Sequence, residues 1–487
     1  MVTLTPAQVD RACGTLLASA VGDALGAGYE FGSAPYAGWP EMIGGGLGGF
    51  DPGEWTDDTA QAVAIARVAA TGADLRTAES LDAIADGFGA WFSAHPPDVG
   101  IQTAAVLRAS GPRASAATMT AAAKQVHDRT GRSAGNGSLM RTAPVALAHL
   151  HDPRALVEAA MAVSALTHHD PLAGEGAALW CLMIRHAVLH GELPAPDDVV
   201  PLLGRTTTDW RSILGEAEVR PPSAFSQNGW VVGALQAAWS AIVHTETPDV
   251  MPCRHLQDSL ATAIGIGHDT DTVAAIAGAL LGARWGVSAV PLAWQEKLHG
   301  WGAPNRAALV RMATLAAGGG RPDRAGWPSC ERVGYDGHGG ASTYVAHPLV
   351  DRVWIGGALP LDALPDEIDA VVSLCRVGTT QVPERGVSHV VRLLDTVAED
   401  NLNVEFAIDD AARTVTELCG QGKSVYLHCV AANSRTPTVA ARVAMLAGHS
   451  LDESLSAVVA SLPSARPRRF LVDALHVLDE LDRPRPV

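Results

Sequence analysis

Residues 5–26 read Thr5-Pro6-Ala-Gln8-Val-Asp-Arg-Ala-Cys-Gly14-Thr-Leu-Leu-Ala-Ser-Ala-Val-Gly22-Asp23-Ala-Leu-Gly26, and their apolar residues recur at helical spacing. Thr5 suits the N-cap position, Pro6 suits the first helical position, and Gln8 stands where a capping box needs a glutamine or glutamate. The same alanine-rich helical pattern continues to about residue 317, and strand-like runs of Val, Ile, Tyr and Thr are nearly absent. The sequence therefore predicts an all-α domain over residues 1–317.

The character of the chain changes at Gly318-Gly319-Gly320, where glycine and proline become frequent and periodicity is lost. We interpret residues 318–345 as a linker. Beyond it, strand candidates (Val353–Gly356, Ala370–Leu374, His389–Leu394, Val425–His428) alternate with helical stretches (Val404–Cys419, Pro437–Ala447). This alternation is typical of a three-layer α/β domain with a largely parallel sheet, expected over residues 346–487.

Composition and charge exclude several classes of protein. A chain of 487 residues with 47% hydrophobic and 18% charged residues is a globular, multi-domain one. Its net charge of −17 argues against a surface that binds nucleic acid through phosphate contacts. Seven scattered cysteines without a Cys-x-x-Cys pair indicate neither a disulfide framework nor a structural zinc site. No apolar run reads as a signal peptide or membrane span, so we expect a cytoplasmic protein without membrane partners.

Two acidic segments in the helical domain resemble each other: Trp55-Thr56-Asp57-Asp58-Thr59 and Gly267-His268-Asp269-Thr270-Asp271-Thr272. Acids in a first helical turn are favoured by the helix dipole, so either cluster alone could simply cap its helix. Together they offer four carboxylates and two hydroxyls, the hard oxygen ligands that suit Mg²⁺, Mn²⁺ or Ca²⁺. If they converge, their mutual repulsion makes cation binding the natural outcome.

A resemblance to the ADP-ribosylglycohydrolase family makes this more specific. It is carried by the segments already quoted and, in order, by Tyr29-Glu30-Phe31, Asp98-Val-Gly100, Gly135-Asn136-Gly137-Ser138 with Met140-Arg141, and Thr167-His168. The resemblance implies that two divalent cations, Mg²⁺ with Mn²⁺ as the alternative, are held by Thr56, Asp57, Asp58, Asp269, Asp271 and Thr272. His268 departs from the family pattern, which commonly has Gly there, and we expect its larger side chain to narrow the pocket.

The resemblance also implies substrate contacts. Asp98 would contact the terminal ribose, Gly135, Asn136, Gly137 and Ser138 would offer amides and a hydroxyl to the diphosphate, and His168 would lie on the substrate side. Cleavage of a glycosidic bond at ribose passes through an oxocarbenium-like state, in which Glu30 or Asp98 could handle the proton. We expect removal of ADP-ribose from a modified protein or small-molecule acceptor. A nucleic acid carrying the modification stays open as an alternative acceptor.

The second domain contains Val425-Tyr-Leu-His428-Cys429-Val-Ala-Ala-Asn-Ser-Arg435-Thr436, which predicts a strand, a short loop and a helix with Thr436 as N-cap and Pro437 following. Loop amides and the helix N-terminus would bind a phosphate, Arg435 would hold two of its oxygens, and Cys429 would be the thiolate nucleophile. Thr436 could hydrogen-bond the departing thiolate. A buried cysteine beside an ordinary surface arginine is the structural alternative.

This loop resembles the dual-specificity branch of the cysteine phosphatases, as do Val353-Trp-Ile-Gly-Gly and Val371-Val-Ser-Leu. The resemblance implies that Asp395 protonates the leaving oxygen of a phosphorylated substrate. Ala432 departs from the pattern, because most members have Gly three residues after the cysteine. If that position needs a positive φ, the loop is strained. The domain is therefore expected to be a phosphate-monoester hydrolase, with a non-catalytic module that binds phosphorylated ligands as the alternative.

Overall fold

The computed structural model describes residues 3–111, 114–382 and 386–483. The chain divides into two compact units. The first consists of Met1–Val290 with Trp294–Arg321, and the second of Pro291–Ala293 with Pro322–Val487. The fold class expected from sequence, a helical domain followed by an α/β domain, is confirmed.

Helices account for the regular structure up to Arg321, and all the named strands of the described residues lie after it. The helices are α1 (Pro6–Gly26), α2 (Asp57–Ala69), α3 (Ala78–Ser93), α4 (Ile101–Ser110), α5 (Ala116–Thr130), α6 (Ala143–Ala148), α7 (Pro153–Ala165), α8 (Pro171–His190), α9 (Pro196–Val199), α10 (Trp210–Val219), α11 (Val231–His244), α12 (His255–Gly265), α13 (Thr270–Trp285), α14 (Leu292–Lys297) and α15 (Arg306–Ala317).

Helix α1 begins as its sequence predicts. The Thr5 side chain accepts a hydrogen bond from the Gln8 amide, and the Gln8 side chain accepts one from the Thr5 amide, which together form the capping box. From Ala12 to Gly26 every residue of the helix is buried. Helix α1 is therefore the central helix of the first unit rather than an amphipathic surface helix.

Glycines allow α1 and α13 to run against each other at very short range. A Cβ added to Gly22 would lie 2.1 Å from the Ala274 carbonyl oxygen, and one added to Gly278 would lie 2.2 Å from that of Ala18. A Cβ added to Gly26 would lie 2.5 Å from the backbone nitrogen of Asp271. Because the C-terminal end of α1 meets the N-terminal end of α13, the two helices are antiparallel.

One described helix, α8, is long and apolar enough to cross a membrane, and 78% of its most apolar window is buried inside the protein. Such burial is typical of a core helix.

The second unit is built on a five-stranded sheet. Its strands are β1 (Tyr344–Ala346), β2 (Val353–Gly356), β3 (Ala370–Ser373), β4 (Val387–Val390) and β5 (Val425–His428), in the order β1-β2-β5-β3-β4. Strand β1 pairs antiparallel with β2, and the other three pairings are parallel. The parallel core agrees with the sequence. The strand predicted over 389–394 is present as β4, but it begins at Val387 and ends at Val390, and β1 was not predicted.

The four long helices of this unit, α16 (Val404–Gly420), α17 (Arg435–Leu446), α18 (Leu451–Ser461) and α19 (Arg469–Asp482), pack against one another. The sheet face that carries Val371 and Tyr426 is covered instead by Leu361, Leu364 and Ile368, from a 3-10 turn and the loop after it. The expected three layers of helix, sheet and helix are therefore absent from the described residues. One face of the sheet carries helices, and loop segments cover the other.

Part of the segment interpreted as a linker folds against the second unit. The amides of Thr379 and Thr380 donate to the carbonyls of Cys330 and Glu331, and Arg332 forms an ion pair with Asp362. Its glycines and prolines thus mark irregular but ordered chain. That the pieces 1–317 and 346–487 fold as independent domains stays a prediction.

We predict that Gly278→Ala destabilises the first unit by several kcal/mol, because its Cβ would collide with backbone that cannot move without separating α1 from α13. The measurement is thermal or urea unfolding followed by circular dichroism. Gly215→Ala in α10 is the matched control, since nothing lies within 4 Å of its added Cβ. It should be neutral or stabilise by roughly 0.5–1 kcal/mol through helix propensity.

Candidate active sites

The two acidic segments converge in the first unit. Carboxylate oxygens of Asp23, Asp58 and Asp271 lie within 4.8 Å of one another, and so do those of Glu30, Asp269 and Asp271. Asp271 belongs to both groups, which therefore form one continuous cluster. Most of its members are nearly inaccessible, since Glu30 is 6% exposed, Asp58 1% and Asp271 3%, whereas Asp269 is half-buried.

Burial and mutual repulsion raise the pKa values across this cluster. Burial, followed by repulsion from Asp269, Asp98 and Asp57, raises the pKa of Glu30 to about 8. Burial and then repulsion from Asp98, Asp23 and Asp269 raise the pKa of Asp57 to about 8 as well. The pKa values of Asp58 and Asp271 also lie well above their usual range, first because of burial. These carboxylates need a cation or retained protons to coexist.

The hydrogen bonds within the cluster leave ligand atoms free for a cation. Asp58 Oδ2 accepts hydrogen bonds from Thr56 Oγ1 (3.0 Å) and Thr272 Oγ1 (3.4 Å). Asp58 Oδ1 is buried and has no hydrogen-bond partner among the described residues. A buried carboxylate oxygen without a partner is costly, so the acidic residues fit a hard divalent cation at this point.

Asp23 is a member of the cluster that sequence reasoning did not single out. Its Oδ1 accepts from the Thr56 amide (3.0 Å), and its Oδ2 accepts from the amide and hydroxyl of Thr59 (3.0 and 2.6 Å). A carboxylate on α1 thus caps the N-terminus of α2 and fixes the turn that carries Asp57 and Asp58. The available signal was a lone acid inside an otherwise buried helix of small residues.

Asparagine side chains hold the second acidic turn in place. Asn136 Nδ2 donates to Asp269 Oδ2 (2.8 Å) and to the Asn228 carbonyl (2.9 Å). Asn228 in turn accepts from the Asp269 amide (3.2 Å) and donates to the Gly267 carbonyl (3.0 Å). The side chain of Asn136 therefore orients a candidate metal ligand, a role that its position in the sequence did not indicate.

A buried polar chain connects Asp57 with His168. Gln61 donates to Asp57 (2.9 Å), Arg141 donates to Gln61 and Thr167 (both 2.6 Å), and the Thr167 hydroxyl lies 2.7 Å from His168 Nδ1. Arg141 is fully buried, with its guanidinium 4.5 Å from the ring centroid of Phe88. Burial lowers the pKa of His168 to about 3, so the imidazole is neutral.

The Gly135–Ser138 loop lies over His168. Added Cβ atoms on Gly135 and Gly137 would come within 3.4 and 3.3 Å of His168 Nε2. His168 is thus buried beneath the loop and supports it. The Ser138 hydroxyl donates to the Ala173 carbonyl (3.4 Å), so the contact between this hydroxyl and a diphosphate stays a prediction.

Asp98 lies at the mouth of the cluster, half-buried. Its repulsion is the largest electrostatic contribution to the raised pKa of Asp57, after burial. The neighbouring Gly100 amide hydrogen-bonds the Asp57 carboxylate, and an added Cβ there would lie 3.9 Å from Asp57 Oδ2. Asp98 is therefore next to the predicted ligands.

In the second unit, Cys429 follows β5 and is 1% exposed. The helix after the loop begins earlier than predicted: Ser434 is the N-cap of α17 and Arg435 its first residue, so Thr436 is not the cap. The Thr436 hydroxyl donates to the Gly356 carbonyl (3.2 Å). An antiparallel bridge pairs Ala431 with Gly357 and engages the Ala432 amide. Within the described chain, the amides of Val430, Ala431, Asn433 and Ser434 donate no hydrogen bond, which leaves them available to an anion.

Arg435 lies beneath this loop and points towards Asp395. Its Nη1 donates to the carbonyls of Leu374 (2.6 Å) and Leu393 (3.1 Å), while its buried Nε has no hydrogen-bond partner among the described residues. Asp395 Oδ2 lies 3.9 Å from that Nε. Arg468 fixes the Asp395 side chain from the other side, with Nε 2.5 Å from Oδ1. Cys429, Arg435 and Asp395 thus belong to one locus.

Both departures from the family patterns lie at positive φ. His268 has φ 62° and Ala432 has φ 53°, values that favour glycine. Ala432 is fully buried within the loop between Cys429 and Arg435, so its strain is the one anticipated from sequence. His268 is exposed, and its carbonyl accepts from the Phe31 amide (2.7 Å), so its side chain does not fill the cluster.

Comparisons with known proteins identify relatives of the first unit. A family model described as ADP-ribosylglycohydrolase matches residues 4–324. The chain is 30% identical to ADP-ribosyl-[dinitrogen reductase] glycohydrolase of Rhodospirillum rubrum, over 60% of this chain and 92% of that protein. It is also 30% identical to ADP-ribosylarginine hydrolase Tri1 of Pseudomonas putida, over 61% and 76%. The solved structure of human DUSP28 matches 29% of this chain and 98% of its own, with 18% identity and a TM-score of 0.26.

We predict that His268→Gly stabilises the first unit relative to His268→Ala by about 1 kcal/mol, because glycine alone adopts φ 62° without strain. The two variants remove the same imidazole, so chemical denaturation of the pair isolates the backbone effect. Equal free energies of unfolding would show that this turn carries no left-handed strain.

Proposed function

Because the chain belongs to the ADP-ribosylglycohydrolase family, we propose that its first unit is a metal-dependent hydrolase that removes ADP-ribose from a modified acceptor. The observation that carries this proposal is the buried carboxylate cluster around Asp58, with an oxygen lacking a partner. The relatives' names support an ADP-ribosylated protein as the acceptor.

We assign the cation ligands to Thr56, Asp57, Asp58, Asp269, Asp271 and Thr272. Oxygen ligands alone and a compact cluster favour two Mg²⁺ ions, with Mn²⁺ as the alternative. When bound, the cations would supply Lewis acidity and an anchor for the ribose hydroxyls. Asp23, Asn136 and Asn228 hold the ligands in position through the hydrogen bonds described above.

The remaining residues orient the substrate and move the proton. The Gly135–Ser138 loop would bind the diphosphate, chiefly through the Gly137 amide, which donates to no other described residue. Buried His168 keeps that loop in place. Glu30 and Asp98 border the cluster, where either carboxylate can take the proton of the attacking water. In this assignment, the attacking water is activated next to the ribose, and the diphosphate is bound by the Gly135–Ser138 loop.

We predict that Asp57→Asn and Asp269→Asn each reduce release of ADP-ribose to background, because each removes a cation ligand from the cluster. The assay is release of ADP-ribose from a modified protein with Mg²⁺, and chelation of the metal should have the same effect. Asp86→Asn is the matched control, since Asp86 is exposed on α3 and outside the cluster. Full release by both cluster variants would refute the metal-site assignment.

We propose a second activity for the second unit, because four loop amides after Cys429 are free and the Arg435 Nε has no hydrogen-bond partner among the described residues. These groups fit a phosphate monoester, with Cys429 as nucleophile, Arg435 as the anion-binding residue and Asp395 as proton donor to the leaving oxygen. Thr436 supports the loop through Gly356. A module that binds phosphorylated ligands without turnover is the alternative.

Hydrolysis of an aryl phosphate distinguishes a phosphatase from a module that only binds phosphorylated ligands. We predict measurable hydrolysis by the wild-type chain and background rates for Cys429→Ser, since the serine hydroxyl is a far weaker nucleophile at neutral pH. Cys419→Ser, on the half-buried end of α16, is the control and should retain wild-type turnover. Equal background rates for all three proteins would favour the binding module.

A further inference from the structure

A cavity of about 530 Å³ opens on the first unit beside the carboxylate cluster. Its walls come from the segment after the first 3-10 turn, from residues 222–223 and from one side of α12. The residues that give it chemical character are Tyr36, Trp39, Ser223, Asp258, Thr262 and Ile266. None of these is among the residues assigned above to cation, ribose or diphosphate.

The carboxylate of Asp258 is the charged group of this cavity. It forms no hydrogen bond or ion pair with another described residue; the charges that act on it are Arg254, which precedes helix α12, and His255, the first residue of that helix. Burial raises the pKa of Asp258. A partly desolvated carboxylate without a partner is stabilised by a cationic ligand.

Aromatic rings form the wall next to this carboxylate. Trp39 is 48% exposed, and its ring centroid lies 6.3 Å from that of Trp294. Tyr36 is fixed by a 2.7 Å hydrogen bond from its hydroxyl to the Ala261 carbonyl and by an edge-on contact with Tyr29. Aromatic faces beside a carboxylate are the combination that binds guanidinium and ammonium groups, through cation–π attraction and charge.

Two short connections along the chain link the cavity to the candidate active site. Ile266 lines the cavity three residues before Asp269, and Tyr36 contacts Tyr29, the residue before Glu30. The two loops are joined by the hydrogen bond from the Phe31 amide to the His268 carbonyl. A group held in the cavity would therefore belong to the acceptor, close to the ADP-ribosylated residue.

We propose that this cavity binds the side chain of an arginine or lysine of the acceptor polypeptide, adjacent to the residue that carries ADP-ribose. The role of the cavity in acceptor selection rests on the proposed hydrolase function. Binding of a cationic side chain in the cavity can be tested separately. The acidic balance of the chain, 52 acids against 35 bases, favours approach of a basic acceptor. Acceptor selection thus depends on residues outside the cluster that cleaves the bond.

The first experiment measures binding of Nα-acetylarginine amide to the intact chain by protein-observed NMR, for wild type, Asp258→Asn and Asp86→Asn. We expect Asp258→Asn to weaken binding by about tenfold, the loss of one modest charge interaction. Asp86→Asn should bind as the wild type does. Equal affinities for the three proteins would overturn the proposal. Trp39→Leu is a second variant and should also weaken binding, because it removes the indole from the aromatic wall.

The second experiment compares kcat/KM for two ADP-ribosylated peptides that differ only in an arginine or a glutamine beside the modified residue. Wild type and Asp86→Asn should prefer the arginine peptide by about tenfold, and Asp258→Asn should cleave both alike. No preference in the wild type would overturn the proposed acceptor role. If the wild type cleaves neither peptide, the proposed hydrolase fails, and binding of the arginine amide alone decides the cation site.

Discussion

The close antiparallel contact between α1 and α13 is the constraint on which the carboxylate cluster depends. Small residues bring the two backbones together, so that Gly26 meets the backbone of Asp271 and Gly22 meets that of Ala274. Asp23 on α1 and Asp271 on α13 are thereby neighbours. Because Asp23 also caps α2, the same contact positions Asp58. A helix pair held apart by larger side chains could not gather acids from residues 23, 58 and 271.

The cluster is held together against its own repulsion. Burial alone disfavours each charged carboxylate, and neighbouring acids add to that cost. The hydrogen bonds from Thr56, Thr59, Thr272 and Asn136 offset part of it, and they also orient the oxygens. These hydrogen bonds leave part of the desolvation cost uncompensated, most clearly at Asp58 Oδ1, which has no hydrogen-bond partner among the described residues. A divalent cation bound there would offset that cost.

The sequence predicted those features of the fold and sites that depend on residues close together in the chain. The capping box at Thr5, strands β2 and β5, the two acidic turns and the strained position of Ala432 all follow from residues close in the chain. Features that depend on distant partners escaped prediction. Asp23 caps α2 through its hydrogen bonds to Thr59, which is 36 residues away in the chain. The Ser138 hydroxyl donates to the Ala173 carbonyl. Strand β1 forms by pairing with the edge of β2. No pattern within these segments contains that information.

The candidate sites of the two units share a structural feature, a residue with positive φ in the loop just before a helix. His268 precedes α13 and Ala432 precedes α17, and neither is a glycine. A left-handed conformation at such residues costs about 1 kcal/mol or more, so the surrounding contacts must impose it. At His268 the turn directs a carbonyl to Phe31 and leaves Asp269 at the helix start. At Ala432 it leaves successive loop amides without partners in the described chain. In both loops the strained residue therefore lies next to charged or polar groups that the described chain does not fully satisfy, which is a physical reason to look for function at such positions.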